Sequence, residues 1–354
     1  MAPMRALRFA PGLVCLLACG SLVLAGCGGG SSSSSHVNRS AESGKSRPAP
    51  PKSAFPATEG RSLEKFLEEV KVLPTVKINA SAEAFYPGTK RYPFLVSEKA
   101  VAGKEGKEIT DAEVALYYVE VPKVKPGAQA MGERPAVGPF PARIESLATK
   151  PEFQSKTTTE DPDVASVVYS AQIPFPSEGE YKIVALIKEK GGLAEKPLGS
   201  VHVGEFEKIP TPGEKAPLIQ TPTAKSVGGD LAKISTRVPP DTQNKVNYAD
   251  VLGKEPILLL FTTPKFCQSR ACGPVVDVAE QAQHEFEGKA NFIHMEIYND
   301  NDPSKGVRPQ VRRFHLPTEP WLFAINREGV VSATIEGAFG SNLMRKTVDR
   351  VISE

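Results

Sequence analysis

Apolar and polar positions along this chain change rhythm three times. An apolar run at residues 13–25 gives way to a tract of Gly, Ser, Pro and Ala that reaches residue 60. Residues 62–73 then place Leu63, Phe66, Leu67 and Val70 at spacings of three and four behind Ser62, the pattern of a short capped amphipathic helix. After it, short apolar runs bounded by Pro and Gly predict strands at 90–97, 113–121, 142–147, 165–173, 180–188 and 198–206. Six or seven short strands with no helical pattern between them predict an all-β sandwich.

The last third follows another plan. Residues 207–246 are rich in Pro, Thr and Lys and read as a linker turning into an irregular entry segment. Ile257–Phe261 is five apolar residues in a row, a strand buried on both faces. A helix follows at 274–286 with Val275, Val278, Ala279, Ala282 and Phe286 on one face. Then come a strand at 291–297, a helix at 307–314, a pair of strands at 321–326 and 330–336, and a closing helix at 341–352. This is an α/β arrangement with helices on a mixed sheet.

Composition bounds this picture. With 354 residues, 40% hydrophobic and 24% charged, the chain has room for two globular domains and enough apolar side chains to fill them. The first 26 residues carry Arg5 and Arg8 ahead of the apolar run and no acid, the layout of an export signal. It ends in Leu24-Ala25-Gly26-Cys27, which resembles the lipobox of bacterial lipoproteins. That resemblance implies cleavage before Cys27 and a lipid on its sulfur, hence a membrane anchor on the extracytoplasmic face. Removing the signal brings the 43 basic side chains to parity with the 41 acidic ones, so the slight basicity of the precursor does not argue for nucleic acid. The organisation expected is a signal peptide at 1–26, a disordered tether at 27–60, a β-sandwich at 61–206, a linker at 207–246 and an α/β domain at 247–354.

Cysteine usage points to chemistry. Of the five cysteines, Cys15 and Cys19 leave with the signal and Cys27 is the lipid site, so Cys267 and Cys272 remain. A bridge between them would close only a short loop and constrain the unfolded chain little, so a functional pair is the better reading than a structural staple. The pair sits in Pro264-Lys265-Phe266-Cys267-Gln268-Ser269-Arg270-Ala271-Cys272-Gly273-Pro274, between the buried strand and the helix. Gly273-Pro274 suggests that the helix starts there, leaving the cysteines on a loop able to close. Helix dipole, Arg270 and Lys265 are candidates to favour thiolate over thiol.

Strand, cysteine turn and helix, followed by Leu316-Pro317-Thr318-Glu319-Pro320-Trp321-Leu322-Phe323 and Asn326-Arg327-Glu328-Gly329, resemble the membrane-tethered thioredoxin-like proteins of the TlpA and ResA type over roughly residues 215–354. The resemblance implies a thioredoxin-like fold and a cis-proline at Pro320 facing the sulfurs, with Glu319, Trp321 and Phe266 as neighbours that would contact substrate. It also implies a thiol-disulfide oxidoreductase in which Cys267 attacks and Cys272 resolves. The implied partners are envelope protein thiols or disulfides and a separate redox partner. No cofactor motif for nucleotide, flavin or haem is visible, and a monomer is expected. The chain departs from that family in having four residues between the cysteines, Phe261 where thioredoxins bury an aspartate, and Phe266 where they have tryptophan.

Other readings stay open. A non-catalytic thioredoxin-like module would present the β-domain to a partner. The cysteine spacing is similar to that of Q-type peroxiredoxins, but Pro264 and Leu260 stand where those need threonine and proline. Sco-type copper chaperones pair two cysteines with a distant histidine, for which Cys267, Cys272 and His315 are the candidate set. In the β-region, Gly179-Glu180-Tyr181 resembles the tyrosine corner of immunoglobulin-like and fibronectin-like domains, which would set the Tyr181 hydroxyl against backbone.

Overall fold

The computed structural model describes residues 44–68, 70–72, 76–99, 106–122, 134–189, 192–204, 209–267 and 269–354. The expected signal, the start of the tether and Cys27 lie outside the described residues. Along the chain come α1 (Leu63–Leu67), β1 (Lys71–Val72), β2 (Val76–Ala80), β3 (Gly88–Glu98), β4 (Val114–Val121), β5 (Val137–Pro141) and β6 (Arg143–Ser146). Then follow α2 (Lys156–Thr159), β7 (Val167–Phe175), β8 (Gly179–Glu189) and β9 (Gly192–Val203). The remainder holds α3 (Tyr248–Val251), β10 (Ile257–Phe261), α4 (Cys272–Glu285), β11 (Asn291–Met295), α5 (Pro309–Arg313), β12 (Trp321–Ile325), β13 (Val331–Glu336) and α6 (Ser341–Ser353).

The first nine strands make two facing sheets, ordered β1-β9-β8-β4-β5 and β2-β3-β7-β6. Their inner faces share one core in which Phe85, Tyr92, Phe94, Tyr118, Tyr169, Phe175 and Tyr181 meet ring against ring. Buried tyrosines keep their hydroxyls satisfied where they can. Tyr181 donates to the Ser177 carbonyl at 2.8 Å, and Tyr169 donates to the Ile109 carbonyl at 2.9 Å. Strands β2 and β5 were not foreseen. Gly138 and two prolines break up β5, and β2 is only five residues long, so neither leaves a clear local signal.

Both outer faces of this sandwich are covered, which corrects two expectations. Residues 44–60, expected in the tether, dock on the sandwich: Arg47 pairs with Ile144 on β6, the edge of the four-stranded sheet, and the part around Phe55 packs on the five-stranded sheet. Phe55, Leu63 and Phe66 form a core with Ala115, Tyr117, Val184 and Leu186, and Tyr117 donates its hydroxyl to the Pro56 carbonyl. Composition marks this segment as polar, yet one buried phenylalanine and a few hydrogen bonds suffice to dock it. Helix α1 is also shorter than its pattern suggested. Its Ser62 cap accepts from the Lys65 amide at 3.4 Å, but the chain turns into β1 by Lys71.

The outer face of the four-stranded sheet meets the C-terminal region. Leu147, Ala165 and Val168 share a core with Val275, Phe339 and Met344. Here β13 turns at Gly337, whose φ of +77° suits glycine and whose hydrogen lets the Ser81 backbone pass. A Cβ there would run into the Ser81 carbonyl oxygen.

In the C-terminal region the sheet order is β11-β10-β12-β13, with β10 parallel to β11 and antiparallel to β12. Every residue of β10 is buried because α4 and α6 cover one face and the segment before α3, with α5, covers the other. That segment includes what composition presented as a linker. It carries Ile209, Ala216 and Ile219 into the core, and it is clamped by buried charge. Asp241 lies 2.7 Å from His294 on β11 and accepts from Ser235, while Arg237 donates to Asp277 at 2.8 Å. A run rich in Pro and Thr has no regular element to announce such burial.

Candidate functional site

Strand β10 delivers the chain to the site, and its last amide bonds are handed on. Thr262 donates its amide to the Met295 carbonyl, after which a tight turn reaches Cys267. Arg270 adopts φ of 60°, reversing the chain so that α4 can begin at Cys272. The helix thus begins two residues earlier than Pro274 indicated. Pro274 still falls in the first turn, where a missing N–H costs nothing. Cys272 is therefore the first helical residue and fully buried, while Cys267 remains partly exposed on the turn.

The two cysteines form a disulfide, with Cα atoms 5.9 Å apart. Four intervening residues are thus compatible with closure, because only Cys272 is held by the helix. The Cys267 Sγ also lies 3.2 Å from the Ser269 hydroxyl. The preceding β-region pins this turn from outside. The Ala165 amide donates to the Arg270 carbonyl at 3.0 Å, and the Arg270 guanidinium pairs with Asp163 at 3.7 Å. Lys265 lies over the Phe266 ring, 5.5 Å from its centre.

Opposite the disulfide stands the strand-start turn. The Glu319–Pro320 peptide is cis. The Glu319 carboxylate and both sulfurs all lie within 4.8 Å of one another. Burial and the neighbouring Glu296 carboxylate push the Glu319 pKa up to about 8, against a lowering contribution from the Thr263 amide. Its Oε2 is buried without a partner among the described residues, as is the Thr263 hydroxyl. At neutral pH this carboxyl carries its proton, so it can supply one to a sulfur that departs as thiolate.

The other expected residues are distributed around this centre. Phe266 meets Tyr298 edge to face at 6.1 Å. Trp321 is buried at the head of β12 and donates its indole N–H to Thr318, so it supports the turn from within and offers no surface to a substrate. His315 does not complete a metal set. It is exposed with φ of 54° just after α5, and the third group beside the sulfurs is Glu319. Phe261, at the position of the absent aspartate, packs against Phe314 and Phe323. The acid beside the sulfurs is thus supplied from β12's leading turn instead of from β10.

No protein-family model matches this chain. No curated protein matches it either. A weak likeness was found to the crystal structure of a chain described as a thiol:disulfide interchange protein, DsbE, from Chlorobium tepidum. The match covers 40% of this chain and 99% of that one, at 16% identity and a TM-score of 0.29.

Proposed function

We propose that this protein is a thiol-disulfide oxidoreductase that works through Cys267 and Cys272. The observation carrying the proposal is a disulfide with one reachable sulfur and one buried sulfur, both within 4.8 Å of the Glu319 carboxyl, whose pKa burial raises. In the oxidised protein, a substrate thiolate attacks the Cys267 sulfur. The Cys267–Cys272 bond breaks and its electron pair leaves on Cys272, to which Glu319 supplies a proton. A second substrate thiolate then attacks the mixed disulfide, so the substrate leaves oxidised and both cysteines are reduced. Run backwards, Cys267 thiolate attacks a substrate disulfide and Cys272 resolves it.

The finer reading is that the C-terminal region is a thioredoxin-like domain of the TlpA and ResA type and that the β-region is an immunoglobulin-like sandwich. The lipobox supports lipid attachment at Cys27 and a place on the extracytoplasmic face of the membrane. Substrates there are envelope proteins with thiols or disulfides. Thiol counting in glutathione buffers of defined poise tests the chemistry. Two thiols should convert together into one intramolecular disulfide, and a pair that stays reduced under oxidising poise would sink the proposal.

A further inference from the structure

A cleft of about 480 Å³ opens where the C-terminal region parts from the four-stranded sheet. Strand β2 builds one wall. Its alternation sends Val76 and Ile78 into the sandwich core and leaves Lys77 and Asn79 exposed toward the cleft. Neither of these two side chains makes a hydrogen bond or ion pair with a described residue. The opposite wall comes from Tyr298, Val311 and Leu316, so it is largely apolar. Ser269 and Glu319 also line the cleft, which makes it continuous with the disulfide. Its volume is in the range of ligand sites, about 300–1,000 Å³.

Resting on the exchange reading above, we propose that this cleft receives an extended, cysteine-bearing segment of a polypeptide substrate, with the β-region acting as the wall that selects it. Two observations favour a polypeptide over a small thiol. The cleft runs from Ser269 and Glu319 beside the sulfurs to Lys77 on β2, a span that an extended segment can fill and a small thiol cannot. The walls also offer several kinds of contact, Lys77, Asn79 and Glu83 beside Ala80 and Leu95 from the β-region and Tyr298, Val311 and Leu316 from the C-terminal region, which suits a segment carrying several side chains. A cysteine on such a segment would meet Cys267 at the end of the cleft.

The Cys272→Ser variant of the full chain provides the test, since it leaves Cys267 as the sole attacking thiol of the pair. Three probes are mixed disulfides of thionitrobenzoate with a short cysteine peptide, with glutathione and with 2-mercaptoethanol. Attack by the Cys267 thiolate breaks the probe's S–S bond, forms a Cys267 mixed disulfide and releases coloured thionitrobenzoate, so rates are read directly. Adding Asn79→Trp fills the cleft from a solvent-facing strand position where an indole is compatible with β-structure. The peptide to 2-mercaptoethanol rate ratio is expected to fall about tenfold, equivalent to about 1.4 kcal/mol. Lys77→Glu in the same background should change the order of preference between acid-flanked and base-flanked peptides. An unchanged ratio with Asn79→Trp overturns the proposal, whatever happens to the absolute rates. A glutathione probe that is as fast as the peptide and equally sensitive to Asn79→Trp overturns it in favour of a small thiol. Absence of release from all three probes before Asn79 is changed overturns the exchange reading itself, and this proposal with it.

Discussion

The two halves of the described structure are held together by different physics. The sandwich interior is apolar and aromatic, with tyrosines among its largest buried side chains. In the C-terminal region, Arg237, Asp241, Asp277, Glu280, His294 and Glu296 are all buried. Burying a charge costs several kcal/mol unless it is paired, so these groups are poor candidates for stabilising a fold that apolar packing could serve. Their positions explain them better. Arg237 ties the irregular entry segment to α4 and, through the Phe153 carbonyl, to the sandwich side. Directional bonds hold an irregular strap where periodic apolar contacts cannot.

The comparison predicts unequal costs for removing polar groups. Arg237→Ala leaves the Asp277 carboxylate buried and strips the Phe153 and Pro239 carbonyls of a donor. The expected loss is about 3–5 kcal/mol in urea unfolding. In the sandwich, Ser170→Ala removes one hydroxyl bond to Glu145 and should cost about 1 kcal/mol. Equal costs would break the distinction.

Acidity sharpens it further. Burial alone would lower the His294 pKa, yet the Asp241 carboxylate holds it up at about 9, and the same contact lowers Asp241. A raised histidine stabilises fully below its unfolded value of 6.5, and this contribution is lost as pH rises through the folded value. A depressed aspartate contributes above 3.8 and is lost in strong acid. Unfolding free energy should therefore fall between pH 6.5 and 9, and in a His294→Gln variant the fall should shrink to the part that Glu319, also raised, contributes up to about pH 8. A parent curve that stays flat over this interval would remove the pair from the account of stability.

How much of this was legible in the chain depends on the range of the forces involved. Ile257–Phe261 announces itself because burial on both faces leaves five apolar residues in a row. Strands such as β4 and β8 show through their β-branched and aromatic content. The docking of residues 44–60 and of residues 209–247 rests on isolated apolar anchors and long-range polar bonds, which have no period. The site was legible as a cysteine pair, and Glu319 as a neighbour of Pro320. That its carboxyl faces both sulfurs depends on the pairing of β10 with β12, which no local pattern specifies.

Glu319 supplies the next test, on rates. Glu319→Gln keeps the shape of the turn but removes the proton that the departing Cys272 would take. Reduction of the disulfide by a small thiol at pH 7 should slow by about tenfold or more. In the parent, the donor is lost as pH rises through about 8, so the rate per substrate thiolate should decline there. The variant should show no such inflection. An unchanged profile would leave Glu319 as a packing residue only.

The smallest effect is expected where the two halves meet. Glu336 at the end of β13 accepts from the amides of Glu83 and Ala84 and from the Thr318 hydroxyl, so it joins the loop after β2 to the turn carrying Glu319. Burial raises its pKa, which means the site tolerates the neutral form better than open water does. Glu336→Gln should therefore be mild, losing one acceptor and about 1 kcal/mol. Its effect on exchange should nevertheless exceed its effect on stability, because Thr318 directly precedes Glu319 and the loosened loop borders the cleft. A variant that loses stability but keeps the full peptide to small-thiol rate ratio would show that the β-region and the sulfurs are joined mechanically without being coupled in substrate choice.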